Sequence, residues 1–150
     1  MAVLAVGRLR PAFRDAADDY LRRLGRYARV AEVEVREAGR GKRAEEGRRI
    51  EGARLRERVS GGAEMIALDR TGTPWTSEEL ARRLGRWRDD ARPVAFLIGG
   101  AEGLDPDLVA DCQLRWSLGA LTLPHELARV VVLEQLYRGF TILRGEPYHK

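Results

Sequence analysis

The 150-residue sequence has one cysteine, Cys112, so no disulfide can form within the chain. Its two histidines both fall in the last quarter, and no Cys/His group has metal-ligand spacing, so no metal centre is expected. Apolar runs are short. None approaches a membrane span, and the first residues lack a signal-peptide pattern. Internal repeats, low-complexity stretches and convincing linkers are missing as well, which predicts one domain over residues 1–150, large enough for a proper core. A cytoplasmic protein is expected, without membrane or metal. Lysine is nearly absent too, Lys42 and Lys150 being two of 27 basic residues. That bias reads as composition rather than function.

What the chain has in quantity is arginine, unevenly placed. Residues 1–60 carry 16 Arg or Lys against 10 acids, a net of +6, whereas residues 61–150 carry a net of −2. The densest stretch runs from Arg36 to Arg58. A basic face beside a neutral remainder suits a polyanion. The competing reading is a solvated helix of Arg–Glu pairs, since Glu45, Glu46, Glu51 and Glu57 sit among these arginines.

Hydrophobic periodicity predicts strands and helices in alternation. Strands are expected at Ala2 to Val6, Val30 to Val35, Glu64 to Asp69, Val94 to Ile98 and Leu114 to Leu118. Helices are expected from about Pro11 to Leu24, Ala44 to Val59, Thr76 or Ser77 to Arg88, after Asp105-Pro106, and from Leu127 to Leu143. In the first helix Phe13, Ala16, Ala17, Tyr20, Leu21 and Leu24 share one face. Thr71 to Pro74 reads as a turn, and Ala38 to Arg43 as a glycine- and arginine-rich loop. Counted from Ser77, the third residue on is Leu80, so a capping box is not expected there. Five strand–helix alternations argue for an α/β fold with a mainly parallel sheet.

The most informative stretch is Val94 to Leu104, VAFLIGGAEGL. Val94 to Ile98 is apolar without alternation, the pattern of a strand buried on both faces of a parallel sheet. Gly99, Gly100 and Gly103 follow its carboxyl end, where open α/β sheets bind ligands and where glycine admits close backbone approach. A tight strand-to-helix turn would use the same residues. Further on, WSLGALTLPHELARVVVLEQLYR runs from Trp116 to Arg138, and the chain closes on Pro147-Tyr148-His149-Lys150.

LIGGAEGL, the WSLGALTLPHE string and the terminal PYH, in that order, resemble the RlmH family of SPOUT-class RNA methyltransferases. The N-terminal AVGR, the GKR near Lys42 and LDRTGTPW from Leu68 extend the resemblance over nearly the whole chain. It implies a C-terminal trefoil knot, whereas periodicity alone would give an open doubly wound sheet. It also implies methyl transfer from S-adenosylmethionine to N3 of a pseudouridine in 23S (large-subunit) ribosomal RNA, on the large subunit or whole ribosome. The positions matching the family's cofactor contacts are Leu68, Gly100 and the loop Gly119, Ala120, Leu121, Thr122, Leu123 and Pro124. A homodimer is expected as well, since a final helix apolar around its circumference needs covering.

Four residues are candidates for the chemistry. His125 opens the last helix, where a neutral imidazole can accept a proton or orient a water, and can equally be a first-turn cap. Arg138 can pair with Glu134 one turn earlier, or anchor a phosphate or the cofactor carboxylate. His149 is a candidate base and Tyr148 a stacking partner for the target base; both owe this to the family's PYH ending. Arg40, Lys42 and Arg43 are expected to meet RNA phosphates. The alternatives are a non-enzymatic RNA-binding or ribosome-associated module and, more weakly, a nucleotide-binding enzyme. No GxGxxG follows the first strand to support the latter.

Overall fold

The computed structural model describes residues 1–39 and 41–150; Arg40, one of the expected RNA contacts, lies outside them. Ten elements alternate: β1 (Ala2–Val6), α1 (Pro11–Leu24), β2 (Ala31–Val35), α2 (Ala44–Arg56), β3 (Glu64–Pro74), α3 (Ser77–Asp89), β4 (Val94–Ile98), α4 (Pro106–Asp111), β5 (Leu114–Ser117) and α5 (His125–Leu143). All five strands pair in parallel in the order β2-β1-β4-β3-β5.

The unalternating run Val94–Ile98 is the central strand, every residue of it buried. Its pleat divides the core. Val94, Phe96 and Ile98 join Val3, Ile66 and Trp116 beneath α1, α3 and α5. Ala95 and Leu97 join Leu4, Val6 and Leu55 beneath α2 and α4. Burying each large side chain here contributes roughly 1.5–3 kcal/mol.

The winding is regular. The crossovers β1–α1–β2 and β3–α3–β4 move one way along the sheet on one face. The crossovers β2–α2–β3 and β4–α4–β5 move the other way on the opposite face. Reversing both direction and face preserves handedness, so all four crossovers share one hand. A second consequence is that α1 and α2, which leave the neighbouring strands β1 and β2, depart to opposite faces. So do the helices leaving β1 and β4, and those leaving β4 and β3. Crevices therefore open above the carboxyl ends of the central strands.

Two local expectations need correcting. The segment read as a turn at Thr71 to Pro74 continues β3, with a register shift between Leu68 and Thr73 along β5. Gly72 makes that approach possible, since a Cβ there would stand 2.6 Å from the Arg115 carbonyl carbon. The helix after it does carry a capping box: Thr76, not Ser77, is the cap. The Thr76 hydroxyl accepts from the Glu79 amide at 3.1 Å, and Glu79 accepts from the Thr76 amide at 2.8 Å. The last helix, bounded at Leu127 by its apolar run, begins at His125, in keeping with the reading of His125 as its opening residue, and Pro124 is its cap residue. No helix among the described residues is long and apolar enough to cross a membrane.

Candidate active site

The expected cofactor residues do not all meet in one place. Leu68, midway along β3 beside its register shift, together with Gly119, Leu121, Thr122 and Leu123 after β5, lines a cavity of about 140 Å³. Its floor is Trp116, stacked on Trp75 with ring centroids 5.2 Å apart, and Arg83 lies over the outer Trp75 ring at 4.2 Å. The Ser117 hydroxyl turns the chain into this loop, accepting from the Gly119 amide at 3.2 Å and donating to the Gly119 carbonyl at 3.1 Å. Gly119 takes φ +120°, a conformation L side chains rarely adopt. Beyond it, no hydrogen bond among the described residues engages the amides of Ala120, Leu121, Thr122 or Leu123. Leu121 is 80% exposed, an apolar wall with nothing on its outer side.

Gly100 faces a different cavity, of about 220 Å³, between the loop after β4, the start of α2 and the start of α5. His125, Lys42 and Arg43 line it as well. The direction a Cβ would take at Gly100 points at Val6 Cγ1 (3.1 Å) and Glu51 Oε2 (3.2 Å). A Cβ here would be tight against these two side chains, which would have to give by a few tenths of an ångström. Gly99 is stricter, because a Cβ would sit 2.4 Å from the Gly103 carbonyl carbon. Lys42 donates to Glu46 at 2.6 Å, while Arg43 is the cap residue of α2 and makes no side-chain cap bond.

Arg138 on α5 forms a third group with Tyr148 and His149 in the tail, none of which lines either cavity. Arg138 takes the Glu134 pairing, at 3.0 Å through Nε, and lies over the Tyr148 ring at 4.7 Å. The tail folds back so that the Tyr148 hydroxyl donates to the same Glu134 carboxylate at 3.0 Å, while the Tyr137 ring meets its edge. His149 Nε2 stands 2.8 Å from Glu78 on α3. Burial first, and then hydrogen bonding, push the Tyr148 phenol well above its ordinary range. It therefore stays protonated at neutral pH and donates. It cannot be the base.

Three polar residues that organise the site were not among the candidates, and one of them, Glu51, was read only as an acid among the arginines of α2. Arg129 is completely buried on α5. Its guanidinium reaches Glu34 at 2.7 Å and Glu32 at 3.2 Å, and donates to the carbonyls of Gly7 at 2.8 Å and Val6 at 3.2 Å. One turn earlier, buried Glu126 accepts from the Arg10 amide and from Arg10 Nε, both at 2.7 Å. Glu51, buried on α2, accepts from the Ala38 amide at 2.8 Å. The signal for Arg129 was present. An arginine inside the apolar run from Leu127 to Leu133 needs a partner, and that argument was applied only to Arg138, which is half-buried.

Comparison with known proteins extends over the whole chain. A family model described as predicted SPOUT methyltransferase matches residues 1–149. A protein of Pseudomonas aeruginosa (strain LESB58) named ribosomal RNA large subunit methyltransferase H is 43% identical over 153 residues, covering 100% of this chain and 99% of the relative. One of the same name from Chromohalobacter salexigens is 45% identical over 157 residues, with the same coverage. Among solved structures, a probable methylase family protein from Haemophilus influenzae Rd KW20 superposes with TM-score 0.58 at 12% identity, covering 99% of this chain and 70% of that one. A probable methyltransferase from Bordetella pertussis Tohama I gives 0.57 at 14% identity, over 93% and 95%. At those identities the solved structures speak for the fold alone.

Proposed function

This chain belongs to the SPOUT methyltransferase family, and on that premise we propose that it transfers a methyl group from S-adenosylmethionine to N3 of a pseudouridine in 23S ribosomal RNA. The observation that carries the reading is the full-length identity to proteins named ribosomal RNA large subunit methyltransferase H. The ends of β3, β4 and β5 supply suitable geometry. The trefoil knot belongs to the same proposal and rests on the family.

The residues present fit the cofactor. Leu68, Leu121 and Leu123 give apolar walls, and the unengaged amides from Ala120 to Leu123 are free to read the edge of an adenine. Ala120 and Pro124 belong to this loop without lining the cavity, so their contribution is backbone. Gly100 approaches from the neighbouring cavity. When bound, the sulfonium supplies an activated methyl group with a good leaving group attached. The task left to the chain is to hold the acceptor in line with it and to receive the N3 proton. With Tyr148 protonated, His149 and His125 remain as bases.

Within one chain these groups do not share a cavity: His125 lines one with Gly100, while Arg138, Tyr148 and His149 line neither. We therefore place the reaction in a cytoplasmic homodimer, where one protomer's tail reaches the other's cofactor loop. The exposed Leu121 is then covered by the partner or by substrate. Arg40, Lys42 and Arg43 remain our proposed phosphate contacts, acting through screened, long-range attraction.

The test is mass spectrometry of ribosomal RNA from a strain lacking this protein, before and after it is restored. Loss and recovery of one N3-methylated pseudouridine is the expected result. An unchanged modification profile, or no S-adenosylmethionine binding by calorimetry, overturns the reading in favour of a non-enzymatic ribosome-associated module.

A further inference from the structure

The cavity beside Gly100 is not isolated. It shares Glu37, Ala38 and Gly39 with a wider basin of about 1060 Å³ above the ends of β1 and β2. The two make one groove, wide at the β1/β2 end and narrow at the β4 loop. It lies where α1 and α2 leave neighbouring strands for opposite faces, so the fold itself opens it.

The wide end is arginine-lined. Arg8 leaves β1, Arg36 leaves β2, and Arg54 and Arg58 come from α2 and the turn after it. Among the described residues, Arg8, Arg36 and Arg58 have no ion-pair or hydrogen-bond partner, and all three are exposed. Arg54 Nη1 donates to the Arg36 and Glu37 carbonyls at 2.8 and 2.9 Å, which holds the exit of β2 against α2. Facing these cations, the Glu34 carboxylate is already engaged by Arg129 and Arg14, leaving Glu37 and Glu57. The helix is thus not a self-neutralised row of Arg–Glu pairs, for Glu51 turns inward to Ala38 and Arg56 pairs with Asp111 on α4.

The narrow end is smaller and mixed in polarity. Lys42, Arg43 and Arg48 line it together with Glu51, Glu102, His125 and Gly100. Its size suits a single nucleotide, and Gly100 and His125 join it to the loops that lead to the cofactor cavity.

Resting on the methyltransferase reading above, we propose that this groove is the path of the RNA strand. Arg8, Arg36, Arg54 and Arg58 hold phosphodiester groups at the wide end, and the narrow end receives the one nucleotide to be methylated. Phosphate contacts of this kind set register without reading sequence.

The experiment uses the full-length protein and large ribosomal subunits from a strain lacking it. The triple variant Arg8→Ala/Arg36→Ala/Arg58→Ala removes three exposed, unpartnered side chains. Its KM for subunits should rise at least tenfold and its log–log salt slope should flatten by about 2, at roughly 0.7 per lost phosphate contact on a single strand. Its affinity for S-adenosylmethionine should hold within twofold. Arg82→Ala/Arg86→Ala/Arg144→Ala removes equal charge elsewhere and should leave both quantities unchanged. At the narrow end, Gly47→Leu adds a side chain where a Cβ meets only Ala38 at 3.6 Å. It should lower turnover at least tenfold without weakening cofactor binding. A first triple variant that matches wild type, or a control that loses as much, overturns the groove. Normal turnover by Gly47→Leu overturns its narrow end. If wild-type protein fails to methylate subunits, the activity itself is misread and the groove proposal falls with it.

Discussion

Arg129 shows how much one side chain can organise. Its guanidinium neutralises carboxylates at the end of β2 and satisfies two carbonyls at the end of β1, all from inside the protein. Arg129→Ala leaves the Val6 and Gly7 carbonyls without this donor, and Glu32 and Glu34 with Arg14 alone as ion-pair partner, and should cost about 3–5 kcal/mol in urea unfolding. Glu126 makes a subtler prediction. The Arg10 amide, and then the Arg10 guanidinium, hold its carboxyl below the ordinary carboxylate range. A depressed value in the folded state means stabilisation that is present above the unfolded value and lost as pH falls through the folded one. Glu126→Gln should therefore be less stable than wild type by about 1–2 kcal/mol at neutral pH. That gap should close as the solution is acidified below the carboxylate range, as thermal melts across pH will show. The need for a partner was legible at Arg129 but the partner was not, because a charge in an apolar run shows that one is needed without saying which. Arg129 finds its partners more than ninety residues away.

Elements were far easier to read than their ends. An apolar run without alternation can only be stable between two layers, so Val94–Ile98 was readable as the inner strand. Asp105 and Pro106 likewise marked the start of α4. Periodicity failed where tertiary contacts decide. Thr71 to Pro74 is composed like a turn, yet it remains in the sheet because Gly72 lets it lie against β5. The cap of α3 was ambiguous because Thr76 and Ser77 are both capping residues, and only the Glu79 partnership distinguishes them. Thr76→Ala removes half of that box and should destabilise the protein by about 1 kcal/mol, read as a lower urea midpoint at unchanged slope. The loop from Gly119 to Pro124 was singled out by resemblance and remains our proposed cofactor loop. Its division from Gly100 was not legible, since no local pattern encodes which side of a strand end a glycine will face.

For the whole molecule, the two halves of the sequence contribute different things. The basic first part forms the crevice at β1 and β2, and the second part supplies the cofactor loop and the tail. Charge counting located the first of these and could not resolve its shape, because pairing decides which arginines remain free. Parts of α5 stay half-buried in the single chain, Val130 and Val131 among them. With Leu121 exposed as well, these residues are apolar surface that the proposed homodimer would cover. Light scattering at micromolar concentration should give twice the chain mass of 16.9 kDa. A monomer with full activity would remove the tail-in-trans arrangement.

The bridge from Arg129 to the ends of β1 and β2 also bears on how the molecule is made. The carbonyls of Val6 and Gly7 wait for a residue more than 120 positions later. Until α5 has been synthesised, these two carbonyls lack the guanidinium that meets them in the folded protein, although the Gly7 amide can already close the end of β2 at Val35. Contacts of such long sequence separation carry a large loop-closure entropy and slow folding. The nascent amino-terminal half should therefore remain open on the translating ribosome and close in one late step. That step is the docking of the last helix.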